Sequence, residues 1–195
     1  NSKHAAPSAY AGGRSDCQEC HSGMGFIDEF DADYAYDPMV GFTPINCQAC
    51  HDPHSKENQH QVRVVEPVEL GDTSNDAYTF TVSKGGLGMV CMNCHKSRRD
   101  AEDYAAEYHS HFGPHHGPQT DMLFGTNAIE YGMPMGGAPH ADAVENTCST
   151  CHLAAFDEDD FTGITSAFAD TLNYNLSGHS MYLSYEDGAG TRYDN

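Results

Sequence analysis

A chain of 195 residues favours one domain, yet 38% hydrophobic residues, no Trp, 19 Gly and 9 Pro leave little material for an apolar core built from side chains alone. Twenty-nine acidic residues against nine basic ones give a formal charge of −20, a field that repels nucleic acid and anionic lipid and draws divalent cations or a basic redox partner. No apolar run approaches the roughly 20 residues of a membrane helix, and a start at Asn1 without an apolar or Lys-rich stretch reads as a mature chain after export.

Residues 1–16 are small and polar and predict an exposed N-terminal arm whose one chemically capable side chain is His4. The first of four Cys-x-x-Cys-His words follows, Cys17-Gln18-Glu19-Cys20-His21. Behind it, Gly23, Gly25 and the acidic-aromatic run 28–37 predict loop. That run lacks the glycine and closing glutamate of a calcium loop, so a solvated loop outweighs a metal site. The second word, Cys47-Gln48-Ala49-Cys50-His51, continues as Asp52-Pro53-His54.

Residues 61–70 and 77–84 alternate or cluster β-branched and aromatic residues around a turn at Gly71–Asn75. They predict a β-hairpin, the only sheet, with Pro67 placing its first strand at an edge or breaking it. The third word, Cys91-Met92-Asn93-Cys94-His95, leads into the best helix, 97–111, acidic early and histidine-bearing late. His115-His116-Gly117-Pro118 predicts a rigid loop, and a Gly-rich stretch then reaches Pro139-His140. The fourth word is Cys148-Ser149-Thr150-Cys151-His152. The tail opens with DEDD (157–160), predicts a short helix over 166–172 and contains Gly178-His179-Ser180; Asn175-Leu176-Ser177 is a glycosylation sequon. Gaps of 30, 44 and 57 residues (from 17 to 47, to 91, to 148) argue against a repeat array.

The repeated word is the attachment signature of c-type haem. Two thiols add across the vinyl groups on one porphyrin edge, and the adjacent histidine reaches the iron as proximal ligand. Paired Cys-x-x-Cys units also bind zinc, but zinc needs no histidine directly after every second cysteine, and the words use all eight cysteines. Four covalent haem c groups are therefore expected, on Cys17 and Cys20, Cys47 and Cys50, Cys91 and Cys94, and Cys148 and Cys151, with His21, His51, His95 and His152 on the irons.

Each haem would be served by about 49 residues (195 divided by 4), so the macrocycles themselves supply the apolar surface to be covered. The fold class expected is a multihaem cytochrome c. It is mostly coil with a few short α-helices and one small β-hairpin, wrapped around four haems in a single domain over 1–195. Haem attachment of this kind takes place outside the cytoplasm, so a secreted, extracellular protein is expected.

Nine further histidines are available as sixth ligands: His4, His54, His60, His109, His111, His115, His116, His140 and His179. Methionine is the other common choice and there are eight, but the surplus of histidine favours bis-histidine irons. His54 lies three residues beyond a proximal histidine behind the stiffening Pro53, so it suits a neighbouring haem. His115 and His116 sit between Pro114 and Pro118, and in extended backbone they point to opposite sides, toward two different irons. His140 and His179 are isolated among small residues. His109, His111 and His60 read as helix-end and surface residues.

The stretches GPHHGPQTDMLFGTNA (113–128) and APHADAVENTCSTCH (138–152) and the late GHS resemble segments of secreted multihaem cytochromes of metal-reducing and related microbes. Size and haem count are most similar to the four-haem subunits of extracellular cytochrome filaments, the cytochrome nanowires. With the four words, the resemblance covers about a third of the chain. It implies mostly coil, a continuous row of bis-histidine haems, and polymerisation in which one histidine ligates a haem of the next subunit. It also implies distal roles for His140, His179 and one or both of His115 and His116, and it makes His54 the candidate donor across the interface; His4, which has no counterpart in the resemblance, is the alternative by its place on the N-terminal arm.

Electron conduction along a filament of identical subunits is thus the leading expectation, handing electrons to redox partner proteins or extracellular acceptors. A monomeric periplasmic tetrahaem shuttle is the alternative. A multihaem reductase ranks last, because no word departs from Cys-x-x-Cys-His to leave an iron open and the negative charge opposes an anionic substrate. Divalent cations bridging acidic clusters such as 28–37 and 157–160 would help such subunits associate.

Overall fold

Glycine, proline and short polar words punctuate this sequence too often for long helices, and none among the described residues exceeds eight residues. The computed structural model describes residues 2–6, 9–31, 42–71, 79–107, 117–133, 135–155, 171–172 and 175–194. In chain order the elements are α1 (Ala9–Gly12), α2 (Gln18–His21), α3 (Gly23–Phe30), α4 (Cys47–Cys50), β1 (Val68–Leu70), β2 (Phe80–Val82), α5 (Met89–Met92), α6 (Ala101–Ala106), α7 (Gln119–Phe124), α8 (His140–Ala143), α9 (Cys148–His152), β3 (Ser184–Glu186) and β4 (Arg192–Asp194). Turns of 3-10 helix lie at Lys3–Ala5, Gly86–Gly88 and Gly178–Ser180. The chain forms two compact units: Asn1–Arg63 with Cys148–Asn195, and Val64–Thr147. The first holds three of the Cys-x-x-Cys-His words and the second holds one.

In the first unit, residues 2–6 and 9–16 are largely exposed but shaped, with the turn Lys3–Ala5 and then α1. The loop expected around Gly23 and Gly25 is instead α3, the longest helix among the described residues. Ser22 caps it, its hydroxyl accepting from the Gly25 N–H at 3.3 Å. The glycines serve close packing here: a Cβ on Gly25 would lie 2.5 Å from the Gln18 carbonyl oxygen of α2. Phe26 and Ile27 on the same helix are buried. Of the acidic run, only 28–31 fall within the described residues.

A second hairpin closes the tail, where none was expected. β3 and β4 pair antiparallel with Tyr185 opposite Tyr193, and their rings stack at 6.3 Å. The connection turns on Asp187, whose carboxylate accepts from the N–H groups of Ala189 and Thr191.

In the second unit, β1 and β2 pair antiparallel in the register Val68↔Val82 and Leu70↔Phe80. Three residues per strand survive of the eight to ten in each alternating stretch, because Pro67 cannot extend the ladder. Val68, Leu70 and Val82 are buried, as are Met89, Val90 and Met92 of the α5 segment. The helix expected from residue 97 begins at Ala101, capped by Asp100, and residues 108–111 fall outside the described set. Ser97 is excluded from it because its N–H and hydroxyl both donate to the buried Asp121 carboxylate, at 2.7 and 2.6 Å. α7 lies at the start of the Gly-rich stretch and α8 begins at its end, at His140. Gly125 ends α7 in the left-handed conformation (φ 66°) that favours glycine. Lys84 forms an ion pair with Asp142 of α8.

Among the described residues, six apolar side chains are buried in the first unit (Phe26, Ile27, Ala49, Val62, Leu172, Leu176) and nine in the smaller second unit. Among the described residues, the unit with three words buries fewer apolar side chains.

Candidate functional site

Side chains at positions i, i+3 and i+4 share one side of a helical turn, and these are the two cysteines and the histidine of each word. Each word folds as such a turn. The main-chain N–H groups of His21, His51 and His95 donate to the carbonyl of the word's first cysteine at 3.0, 2.8 and 2.9 Å. The fourth word lies wholly within α9. Asn46 caps the second, its side-chain oxygen accepting from the N–H groups of Gln48 and Ala49.

The imidazoles are fixed as well as placed. His51 Nδ1 lies 2.8 Å from the His60 carbonyl oxygen, His152 Nδ1 lies 2.9 Å from the Met181 carbonyl oxygen, and His95 Nδ1 lies 3.1 Å from Gln119 Oε1. A carbonyl oxygen only accepts, so Nδ1 carries the proton in all three rings and Nε2 keeps its lone pair. This is the tautomer of a metal-ligating histidine whose second nitrogen sets the ring orientation. His95 is braced further, since its carbonyl accepts from both the N–H and the hydroxyl of Thr120, at 3.0 and 2.7 Å. His21 is half-buried in α2.

None of the eight cysteines is in a disulfide and none is fully buried; Cys47 and Cys151 are exposed. Cysteine is ordinarily among the most buried residues, so this placement suits thiols that bond to a group lying against the polypeptide. Burial, aided by the neighbouring Cys47, pushes the Cys50 thiol above its ordinary value, with Arg63 opposing. Among the described residues, no three His, Cys, Asp or Glu side chains converge to hold a metal ion, whereas tetrahedral zinc needs four donors at one point. A porphyrin takes its donors spread along an edge and beneath a face, and the words fit it.

No protein-family model, curated protein or solved structure matches this chain. Its site is therefore read from its own residues. His54 is exposed, its N–H donating to Asp52 Oδ1 at 3.0 Å. His4 is half-buried, with Nδ1 2.9 Å from Ser2 Oγ, and Ser2 in turn lies 3.9 Å from the Met181 sulfur. His140 is exposed at the first residue of α8. His179 lies in the turn Gly178–Ser180, its ring centre 6.2 Å from that of His51 at an interplanar angle of 42°. His109, His111, His115, His116 and residues 157–160 fall outside the described residues.

Three orienting groups escaped sequence reasoning: the carbonyls of His60 and Met181 and the side chain of Gln119. The first two are main-chain atoms, which no residue type announces. His60 was read only as a surface residue, and it is one by side chain. Among the described residues, no helix is long and apolar enough to cross a membrane.

Proposed function

We propose that this chain is a tetrahaem c-type cytochrome that moves electrons and does no substrate chemistry. The observation that carries the reading is the treatment of the word histidines: three of the four are locked in the Nδ1-protonated tautomer, each by a different segment of chain. Bound haem supplies a one-electron Fe(III)/Fe(II) couple. The residues around it attach it, orient its ligands and keep water from its faces. Among the described residues, the inverse relation between word count and buried apolar side chains in the two units supports haem as core material in the first.

In this reading all four irons are bis-histidine, with His140 and His179 among the distal ligands. Identical subunits polymerise into an extracellular filament for long-range electron transfer. The filament rests on the resemblance of 113–128, 138–152 and the late Gly178-His179-Ser180 to the nanowire cytochromes, with His54 as the ligand donated to the next subunit.

Three measurements on the native protein test it. The pyridine haemochrome assay should count four covalent haems per 21.2 kDa chain. Ferric EPR should show low-spin iron alone, and a substantial high-spin signal would mean an open iron and revive an enzyme. Negative-stain electron microscopy should show filaments, and discrete particles would favour a monomeric periplasmic shuttle.

A further inference from the structure

We infer that His179 is the distal ligand of the iron whose proximal ligand is His51, and that the loop carrying it makes the second and fourth sites immediate neighbours. The inference rests on the tetrahaem reading and adds a pairing and an adjacency that the words cannot give.

The pairing follows from a length. Two imidazoles on one metal, with metal–nitrogen bonds near 2 Å and five-membered rings of bonds about 1.33 Å long, hold their ring centres about 6.3 Å apart. His51 and His179 stand at 6.2 Å. Rotation about the nitrogen–metal–nitrogen axis leaves the interplanar angle free, so 42° is admissible. His51 already donates Nδ1–H to the His60 carbonyl, which leaves Nε2 for the metal. Aromatic pairs without a metal also fall between about 4.5 and 7 Å. These two rings, however, are half-buried and exposed, and nothing apolar is hidden by bringing them together.

The adjacency follows from what holds His179. The Gly178 N–H donates to the Ala154 carbonyl at 3.0 Å, and the Ser177 hydroxyl donates to the Cys151 carbonyl at 2.9 Å, so the turn is tied to the fourth word. Ser177 and Ser180 are buried, and the Ser180 hydroxyl donates back to the Ser177 carbonyl at 2.6 Å. Two residues past His179, the Met181 carbonyl accepts from His152 Nδ1. A span of two residues is at most about 7 Å of main chain. One short loop thus supplies a ligand to the second site and orients the ligand of the fourth. The two sites are neighbours, although the third word stands between them in sequence.

The test uses ferric EPR of the holoprotein, preceded by a haem count on the wild type. Fewer than four covalent haems overturns the tetrahaem reading itself, before pairing is at issue. With four present, the second haem's low-spin signal is identified as the one lost in His51→Met, whether or not that haem stays attached, and the fourth's likewise in His152→Met. His179→Ala should abolish the second haem's signal, leaving the other three low-spin. Loss of any other signal, or of none, overturns the pairing. Should that variant fail to fold, His179→Met serves: the second haem alone should acquire a thioether-to-iron charge-transfer band and a raised potential, and four unchanged bis-histidine signals overturn the pairing. Gly178→Ala, which strains the loop at φ 48°, should shift the signals of the second and fourth haems together. A shift in only one of them, or in neither, overturns the shared loop.

Discussion

Gln119 Oε1 lies 3.1 Å from His95 Nδ1, so the third word's histidine is held by a side chain where those of the second and fourth are held by main chain. A side-chain acceptor can be mutated without moving the backbone. Gln119→Leu removes a hydrogen bond worth about 1 kcal/mol, and only the part that differs between Fe(III) and Fe(II) moves the potential, so the shift is at most about 40 mV. The sign follows from basicity: an acceptor on Nδ1–H makes the ring a better donor and favours Fe(III), so its loss raises the potential. Potentiometric titration should show one of four midpoints rise in Gln119→Leu and fall in Gln119→Glu.

His54 is exposed on a turn held by its own N–H to Asp52, a short tether directly behind the second word. His54→Ala should retain four haems per chain yet give monomers or short oligomers by size exclusion and electron microscopy, with one iron turning high-spin. Normal filaments from this variant together with monomers from His4→Ala would move the donor to the N-terminal turn. Unchanged assembly in both would confine the distal ligands to one chain.

Gly25→Ala should destabilise, although alanine normally favours a helix by up to about 1 kcal/mol. The added methyl would lie 2.5 Å from the Gln18 carbonyl oxygen, and forcing α3 off α2 costs roughly 1–3 kcal/mol. Thermal unfolding should show a lowered midpoint. Gly188→Ala is the control: nothing lies within 4 Å of a Cβ there, and its midpoint should be unchanged.

The tail hairpin should be acid-labile. N–H groups of Thr191 and Ala189 and the Tyr193 hydroxyl hold the Asp187 carboxyl below its ordinary 3.8. A depressed carboxylate stabilises the folded form fully above its unfolded value, and the contribution is lost as pH falls through the folded one. The Tyr185 and Tyr193 ring resonances should therefore be constant above about pH 5 and move toward unfolded values only below 3.8. In Asp187→Asn that acid transition should vanish.

That each word folds as one helical turn was legible, because positions i, i+3 and i+4 share a side of such a turn in any surrounding fold. The β1–β2 pairing was legible too, from alternation around a turn. Glycine misled at α3, since Gly23 and Gly25 are present for contact with neighbouring backbone and a lone sequence cannot distinguish that from a need to turn. β3 and β4 were overlooked because three-residue strands carry too little pattern, although Asp187-Gly188 flanked by Tyr185 and Tyr193 was a usable signal. The distal partner of His51 was out of reach for a different reason: histidines far apart in sequence meet only after the chain has folded.

The first unit is assembled from both ends of the chain, residues 1–63 and 148–195, while the second is one uninterrupted stretch between them. During synthesis from the N-terminus, the central stretch is complete while its host still lacks α9 and the 177–182 loop. The second unit, a single stretch, needs no later residue in order to fold, and the three-word unit must wait for its closing piece. A chain cut shortly after residue 147 would therefore carry the whole of the second unit and lack the closing piece of the first.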